Sequence, residues 1–125
     1  LKSIISDFKG AGIRTSLFVE AELKYIEGAK AIQTDRIELY TERYAQHFAI
    51  DKAKAVKPFV ESAILAKELG LGINAGHDLN LENLKYFTNS VPFIDEVSIG
   101  HALISDALYL GLEKTIESYK NCLIK

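Results

Sequence analysis

Cysteine occurs once in the 125 residues, as Cys122, which excludes an internal disulfide framework and a cysteine-rich zinc site. A single thiol fits a reducing compartment, and a cytoplasmic location is expected. No apolar run is long enough to span a bilayer, and no signal peptide pattern appears, so no membrane partner is expected. Runs of basic residues are missing too. Fifteen Lys and Arg are interspersed with 17 Asp and Glu for a formal net charge of −2, which argues against a phosphate-backbone binder and hence against nucleic acid. Neither GxGxxG nor GxxxxGKS/T occurs, and no metal-ligand spacing such as HExxH is present. Methionine is absent altogether, even from the first position. The chain opens LKSIISDFKGAGIRTS, already inside an amphipathic pattern, and is expected to be part of something longer.

What is present is a globular balance, 48% hydrophobic and 26% charged, in alternating helical and strand patterns. Leu1, Ile4, Ile5 and Phe8 fall at helical spacing, and Gly10-Ala11-Gly12 ends that helix. IRTSLFVE (residues 13–20) reads as a first strand and ELKYIEGAKA (22–31) as a helix with Leu23, Ile26 and Ala29 inward. RIELY (36–40) is a second strand. A polar segment, TERYAQHF, precedes a long helix ending at Gly70, with Val56, Phe59 or Val60, Ala63, Ile64 and Leu69 inward. Pro58 is placed in the first turn of that helix, where its missing donor costs little. Gly70–Asn74 gives a third strand, Asn80 caps a helix through Phe87, and IDEVSI (94–99) is a fourth strand. A final helical stretch from Ala102 to Leu123 is broken near Gly111.

Such alternation implies parallel strands with right-handed helical crossovers. Two architectures fit: a complete doubly wound domain, or four βα units forming half of an eight-unit barrel. In both, ligands gather at the carboxyl ends of the strands. That edge collects Glu20, Tyr40-Thr41-Glu42, Asn74-Ala75-Gly76-His77-Asp78 and Gly100-His101. Two of the three histidines lie there, each directly after a glycine. An imidazole exchanges protons near neutral pH, so His77 is a candidate acid–base group, although a loop histidine bonded to a carbonyl is the plainer reading. Gly100-His101-Ala102 opens a helix whose first amides and dipole suit an anion such as phosphate, or merely solvent. A zinc site from His77, His101 and a carboxylate lacks supporting spacing, so no metal is assigned. His47 is expected to be exposed, Tyr40 and Tyr44 to line a pocket or simply pack, and Lys52–Lys57 to form a solvated helix face.

AGIRTSLFVEAE, RIELYTERYA, LGLGINAGHDLNLENL and VSIGHALISDAL, one per strand, together resemble pyridoxine 5′-phosphate synthase over nearly the whole chain. The pairing of NAGH with IGHA carries most of the specificity. The resemblance implies an α/β fold, the C-terminal half, (β/α)4, of a TIM (β/α)8 barrel with parallel strands. Residues 1–125 would then be one segment of that domain with no internal boundary. It also implies cofactor-free vitamin B6 synthesis: 1-deoxy-D-xylulose 5-phosphate condenses with 3-amino-2-oxopropyl phosphate to pyridoxine 5′-phosphate, with loss of water and phosphate. On the same resemblance His77 is the proton donor, and Asp78, Gly100 and His101 contact substrate. The family often has glycine where Asp78 stands, and a small residue is expected where Glu42 stands. A further catalytic His and Glu, and more phosphate ligands, belong to the missing N-terminal half of the barrel, so the segment alone is expected to be inactive. Homo-octamers built from dimers are implied as well.

Two other classes stay open on the sequence. One is a non-enzymatic α/β module that binds a phosphorylated metabolite through Gly100-His101. The other is a structural half-barrel that docks on its missing partner. A half-barrel is also expected to expose an apolar sheet face and to associate.

Overall fold

The computed structural model describes residues 1–124. The elements run α1 (Lys2–Gly10), β1 (Ser16–Val19), α2 (Leu23–Ala31), β2 (Arg36–Tyr40), α3 (Glu42–Glu68), β3 (Gly72–Gly76), α4 (Leu84–Ser90), β4 (Glu96–Ser98), α5 (His101–Leu110) and α6 (Leu112–Cys122). The four strands form one sheet in the order β1-β2-β3-β4, and all three pairings are parallel. Sequential order without insertion is the arrangement of consecutive units in a barrel wall, whereas a doubly wound sheet reverses its order at a switch point. The chain is an α/β half-barrel.

Strand alternation explains the layering. Leu17, Val19, Ile37, Leu39, Ile73, Ala75 and Val97 point toward the helices, where Ile37, Leu39, Ile73 and Ala75 are wholly buried. Each fully buried Ile or Leu contributes about 1.5–3 kcal/mol. From the helices, Ile26, Ala29, Val56, Phe59, Ala63 and Phe87 complete that core. The alternate residues Phe18, Arg36, Glu38, Tyr40, Asn74, Glu96 and Ser98 lie on the other face, which no helix covers among the described residues. The expected apolar open face is therefore corrected: it is mostly polar. In a closed barrel that face lines the interior, where a functional mouth needs polar groups.

Helix α3 departs most from the pattern. The polar segment TERYAQHF belongs to the helix itself, with Thr41 as its N-cap and Glu42–Phe48 helical, and the helix breaks at Asp51 (φ −156°, ψ 89°). Asp51 Oδ1 accepts the Lys54 N–H at 3.0 Å and so caps the second segment. Pro58 lies inside that segment rather than in its first turn; the acceptor it leaves without a donor, the Lys54 carbonyl, belongs to an exposed residue. Tyr44 is the anchor of the first segment: fully buried, its ring lies 4.9 Å from Phe87, 5.5 Å from Phe48 and 6.0 Å from Phe59. Leu23 and Ile64 are exposed, because each sits beside the inward stripe rather than on it. Leu1, Ile4 and Phe8 are exposed as well, leaving Ile5 as the buried residue of α1. Strand β3 begins two residues later than expected and runs to Gly76, delivering His77 directly from its last rung. Gly111, at φ +80°, separates α5 from α6 as the glycine signal indicated.

Candidate functional site

The last rungs of the ladder set the geometry. Tyr40 pairs with Gly76, and Gly76 pairs with Ser98, so β2, β3 and β4 release their chains at one level. Just beyond lies a cleft of about 580 Å³ lined by Glu38, His77, Asp78, Ser98, Gly100 and His101, among others. All four residues singled out from the sequence, His77, Asp78, Gly100 and His101, share this wall. A larger cavity of about 690 Å³ lies between the β1–α2 loop and α3, near the exposed His47, and contains none of those four.

His77 and Asp78 both have left-handed backbones, φ +97° and +54°. Asp tolerates that region better than most side chains, whereas His at +97° is well outside it. Such a conformation persists only where its surroundings enforce it. The enforcing contacts come from the turn after β2. The Thr41 amide donates to the Gly76 carbonyl at 3.0 Å, and its hydroxyl donates to the His77 carbonyl. Farther along, Asn83 Nδ2 donates to the Asp78 carbonyl at 3.1 Å, while the Tyr44 hydroxyl donates to the Asn83 carbonyl at 2.7 Å. Asn80 caps the turn into α4, its Oδ1 accepting the Glu82 and Asn83 amides at 2.9 and 3.1 Å. The helix proper begins at Leu84, later than the sequence suggested.

The imidazole of His77 stands half-exposed, with Nδ1 3.2 Å from Asp78 Oδ2. The Tyr40 ring meets it edge-to-face at a centroid distance of 4.7 Å and 82°. Tyr40 donates its hydroxyl to Glu42 Oε2; that bond, with partial burial and the Glu42 charge, pushes the phenol up to about 12. Gly76 keeps this rung uncrowded: a Cβ would lie 3.0 Å from Ser98 Cβ and 3.2 Å from the Ser98 carbonyl, and would push aside the flexible Glu38 carboxylate, 2.5 Å away. Across the cleft, Gly100 precedes α5 and His101 is its first residue, one position earlier than expected. Among the described residues no side chain caps that helix, so its first-turn amides have no side-chain acceptor there. A Cβ on Gly100 would meet nothing within 4 Å, which leaves room for a ligand against the helix start.

Glu38 and Asn83 were not singled out from the sequence, and Thr41 was placed on the edge without a role. Glu38 carried a signal, a charge within a short strand between two core positions, Ile37 and Leu39. Thr41 and Asn83 act through backbone contacts of the His77 loop and had no sequence signal of their own.

The family model described as "Pyridoxal phosphate biosynthesis protein PdxJ" matches residues 1–125. A protein of Bacteroides fragilis named pyridoxine 5′-phosphate synthase is 60% identical over 123 residues, 98% of this chain and 52% of the relative. One of the same name from Christiangramia forsetii is 62% identical over 119 residues, 95% and 50% respectively. The Bacteroides thetaiotaomicron protein, also so named, is 58% identical over 123 residues. The chain spans about half the length of the curated relatives it matches.

Proposed function

The chain belongs to the PdxJ family of pyridoxal phosphate biosynthesis proteins, and on that premise we propose that it forms part of the active site of a pyridoxine 5′-phosphate synthase. The substrates are 1-deoxy-D-xylulose 5-phosphate and 3-amino-2-oxopropyl phosphate, and ring closure releases phosphate and water. The observation that carries this reading is the convergence of His77, Asp78, Gly100 and His101 on one cleft at the carboxyl ends of the strands.

Ring closure requires hydroxyl and phosphate groups to leave, and each departs more readily with a proton. His77 supplies that proton from the rim of the cleft and is recharged from solvent through its exposed ring. Asp78 Oδ2, 3.2 Å from Nδ1, helps fix the ring's orientation. The first-turn amides of α5, at Gly100 and His101, hold a substrate phosphate by hydrogen bonding and by the helix dipole. Glu38 places a carboxylate in the same cleft, available to accept a proton or to balance a cationic intermediate. No resident cofactor enters this scheme. The remaining catalytic groups and the second phosphate site come from an N-terminal half that closes the barrel. The assembled protein acts in the cytoplasm as a homo-oligomer, a homo-octamer built from dimers on the family pattern.

The test is product formation from the two substrates by full-length wild-type protein and by His77→Asn. Turnover should fall about 10²–10⁴-fold, the range of a general acid–base group, with both substrates still bound. Near-normal turnover would return His77 to the role of a loop histidine and favour a phosphate-binding module without catalysis.

A further inference from the structure

We propose that Tyr40 and Glu42 form a positioning pair that sets the orientation of the His77 ring; this rests on the reading of His77 as the proton donor. Four contacts meet at the exit of β2 and the start of α3. The Tyr40 ring lies 4.7 Å from the His77 ring at 82°. Phe18 braces Tyr40 from β1, with centroids 5.0 Å apart. The Tyr40 hydroxyl donates to Glu42 Oε2, while Gln46 Nε2 donates to Glu42 Oε1 at 2.9 Å. Both carboxylate oxygens of Glu42 are thus engaged, and a line of contacts runs from α3 through Glu42 and Tyr40 to the imidazole.

His77 needs such a brace. Its backbone is held by Thr41, but its side chain is half-exposed, and among the described residues its one polar contact is with Asp78, itself exposed. A half-exposed ring on a loop samples several rotamers unless something occupies the competing space. The Tyr40 ring occupies it from one side. Glu42 is the part of the pair least explained by packing: it opens α3, where an acidic residue suits the helix dipole, yet its carboxylate turns back to the phenol. The hydrogen bond to Glu42, with desolvation and the carboxylate charge, raises the phenol above its ordinary value. A small residue at position 42 would leave the phenol without this partner. The pair orients the acid and has no proton-transfer role of its own.

The experiment is a set of variants in the full-length protein, read by kcat, by KM for each substrate and by the NMR signals of the His77 ring. Tyr40→Leu should lower kcat on the order of 10–100-fold, the scale of a misplaced reacting group. Each KM should stay within about threefold, and the His77 ring signals should shift or broaden. Tyr40→Phe keeps the ring but loses the bond to Glu42, so its defect should be smaller and equal to that of Glu42→Ala. Glu42→Gln retains an acceptor and should recover part of the loss. Combining Tyr40→Phe with Glu42→Ala should be no worse than either alone, the mark of a coupled pair. In a His77→Asn background, Tyr40→Leu should cost nothing further. Wild-type kcat with unchanged His77 signals in Tyr40→Leu, or a loss confined to KM, overturns the proposal while leaving the proton-donor reading intact. If Tyr40→Leu does not fold, additive losses in the Tyr40→Phe and Glu42→Ala cycle overturn it instead. Near-normal turnover in His77→Asn overturns both readings together.

Discussion

The two ends of the sheet are built on opposite plans. At the amino ends of the strands, side chains satisfy one another and the backbone. Asp35 Oδ2 accepts the Thr15 amide at 2.8 Å and its hydroxyl at 2.9 Å, and Lys9 reaches Asp35 Oδ1 at 2.9 Å. One strand pair over, Arg36 donates to Asn74 at 2.9 Å and to Asp95 at 3.1 Å, while Asp95 also accepts the Ile73 amide at 2.9 Å. At the carboxyl ends the chain leaves the sheet through two left-handed residues, His77 and Asp78, and its polar side chains face a cleft. On the proposed reading, one end serves stability and the other chemistry, as in barrels generally. Exposed and constrained groups are what an active site needs, and a satisfied network elsewhere compensates for their cost.

The comparison can be broken most severely from the shared core. Phe87→Ala removes a fully buried ring that packs on Tyr44 and Phe59, and should destabilise by about 3–5 kcal/mol. Denaturant melts would register this as a lower midpoint at unchanged slope. Because Tyr44 also holds the Asn83 carbonyl, the same variant should loosen the His77 loop. Next is Gly76→Ala. Its methyl would press on Ser98 Cβ and carbonyl, 3.0 and 3.2 Å away, and displace the Glu38 carboxylate, an overpacking cost of about 1 kcal/mol. Activity should fall more than stability, since the clash lies under the cleft; equal losses would argue that Gly76 serves only the sheet.

Asp35 probes the opposite end. Its bonds to the Thr15 amide, to Lys9 and to the Thr15 hydroxyl hold its carboxyl down at about 2, below the usual 3.8. A depressed folded-state value means that the stabilisation is fully present above pH 4–5 or so and is lost as pH falls toward 2. Asp35→Asn should therefore cost about 1–3 kcal/mol near neutrality, and its deficit relative to wild type should shrink as the melt is repeated between pH 4 and pH 2 or so. A deficit independent of pH would show that the amide, rather than the charge, is at fault. Smallest of all is Arg14→Ala. Its two bonds to Glu96 join side chains that are 57% and 45% exposed, so the loss should not exceed about 1 kcal/mol and should fade with added salt.

These two ends were not equally legible in the sequence. The four strands could be read because Ile37, Leu39, Ile73 and Ala75 lie in short runs bounded by turn residues, and their parallel order follows from the helices between them. The histidines of the site could be read because a glycine precedes each at a strand exit. The kinked α3 could not: TERYAQHF looks polar, and its helical character depends on Tyr44 and Phe48, four apart, meeting Phe59 and Phe87 from elsewhere in the chain. Asp51, with an amide to cap three residues on, was a local signal for the break. The polar open face was written in RIELY, where Arg36, Glu38 and Tyr40 alternate with core residues. The Tyr40–His77 contact could not be read, because it depends on the register that pairs Tyr40 with Gly76 across two strands.

Turnover and melting temperature measured side by side for His77→Asn and Asp35→Asn in the full-length protein test the division between the two ends most directly. His77→Asn should lose about 10²–10⁴-fold in kcat with an unchanged melting temperature. Asp35→Asn should retain near-normal kcat and melt lower, by about 2–4 °C per kcal/mol lost for a protein of 150–250 residues. Parallel losses of turnover and stability in both variants, or normal turnover in His77→Asn, would contradict the account.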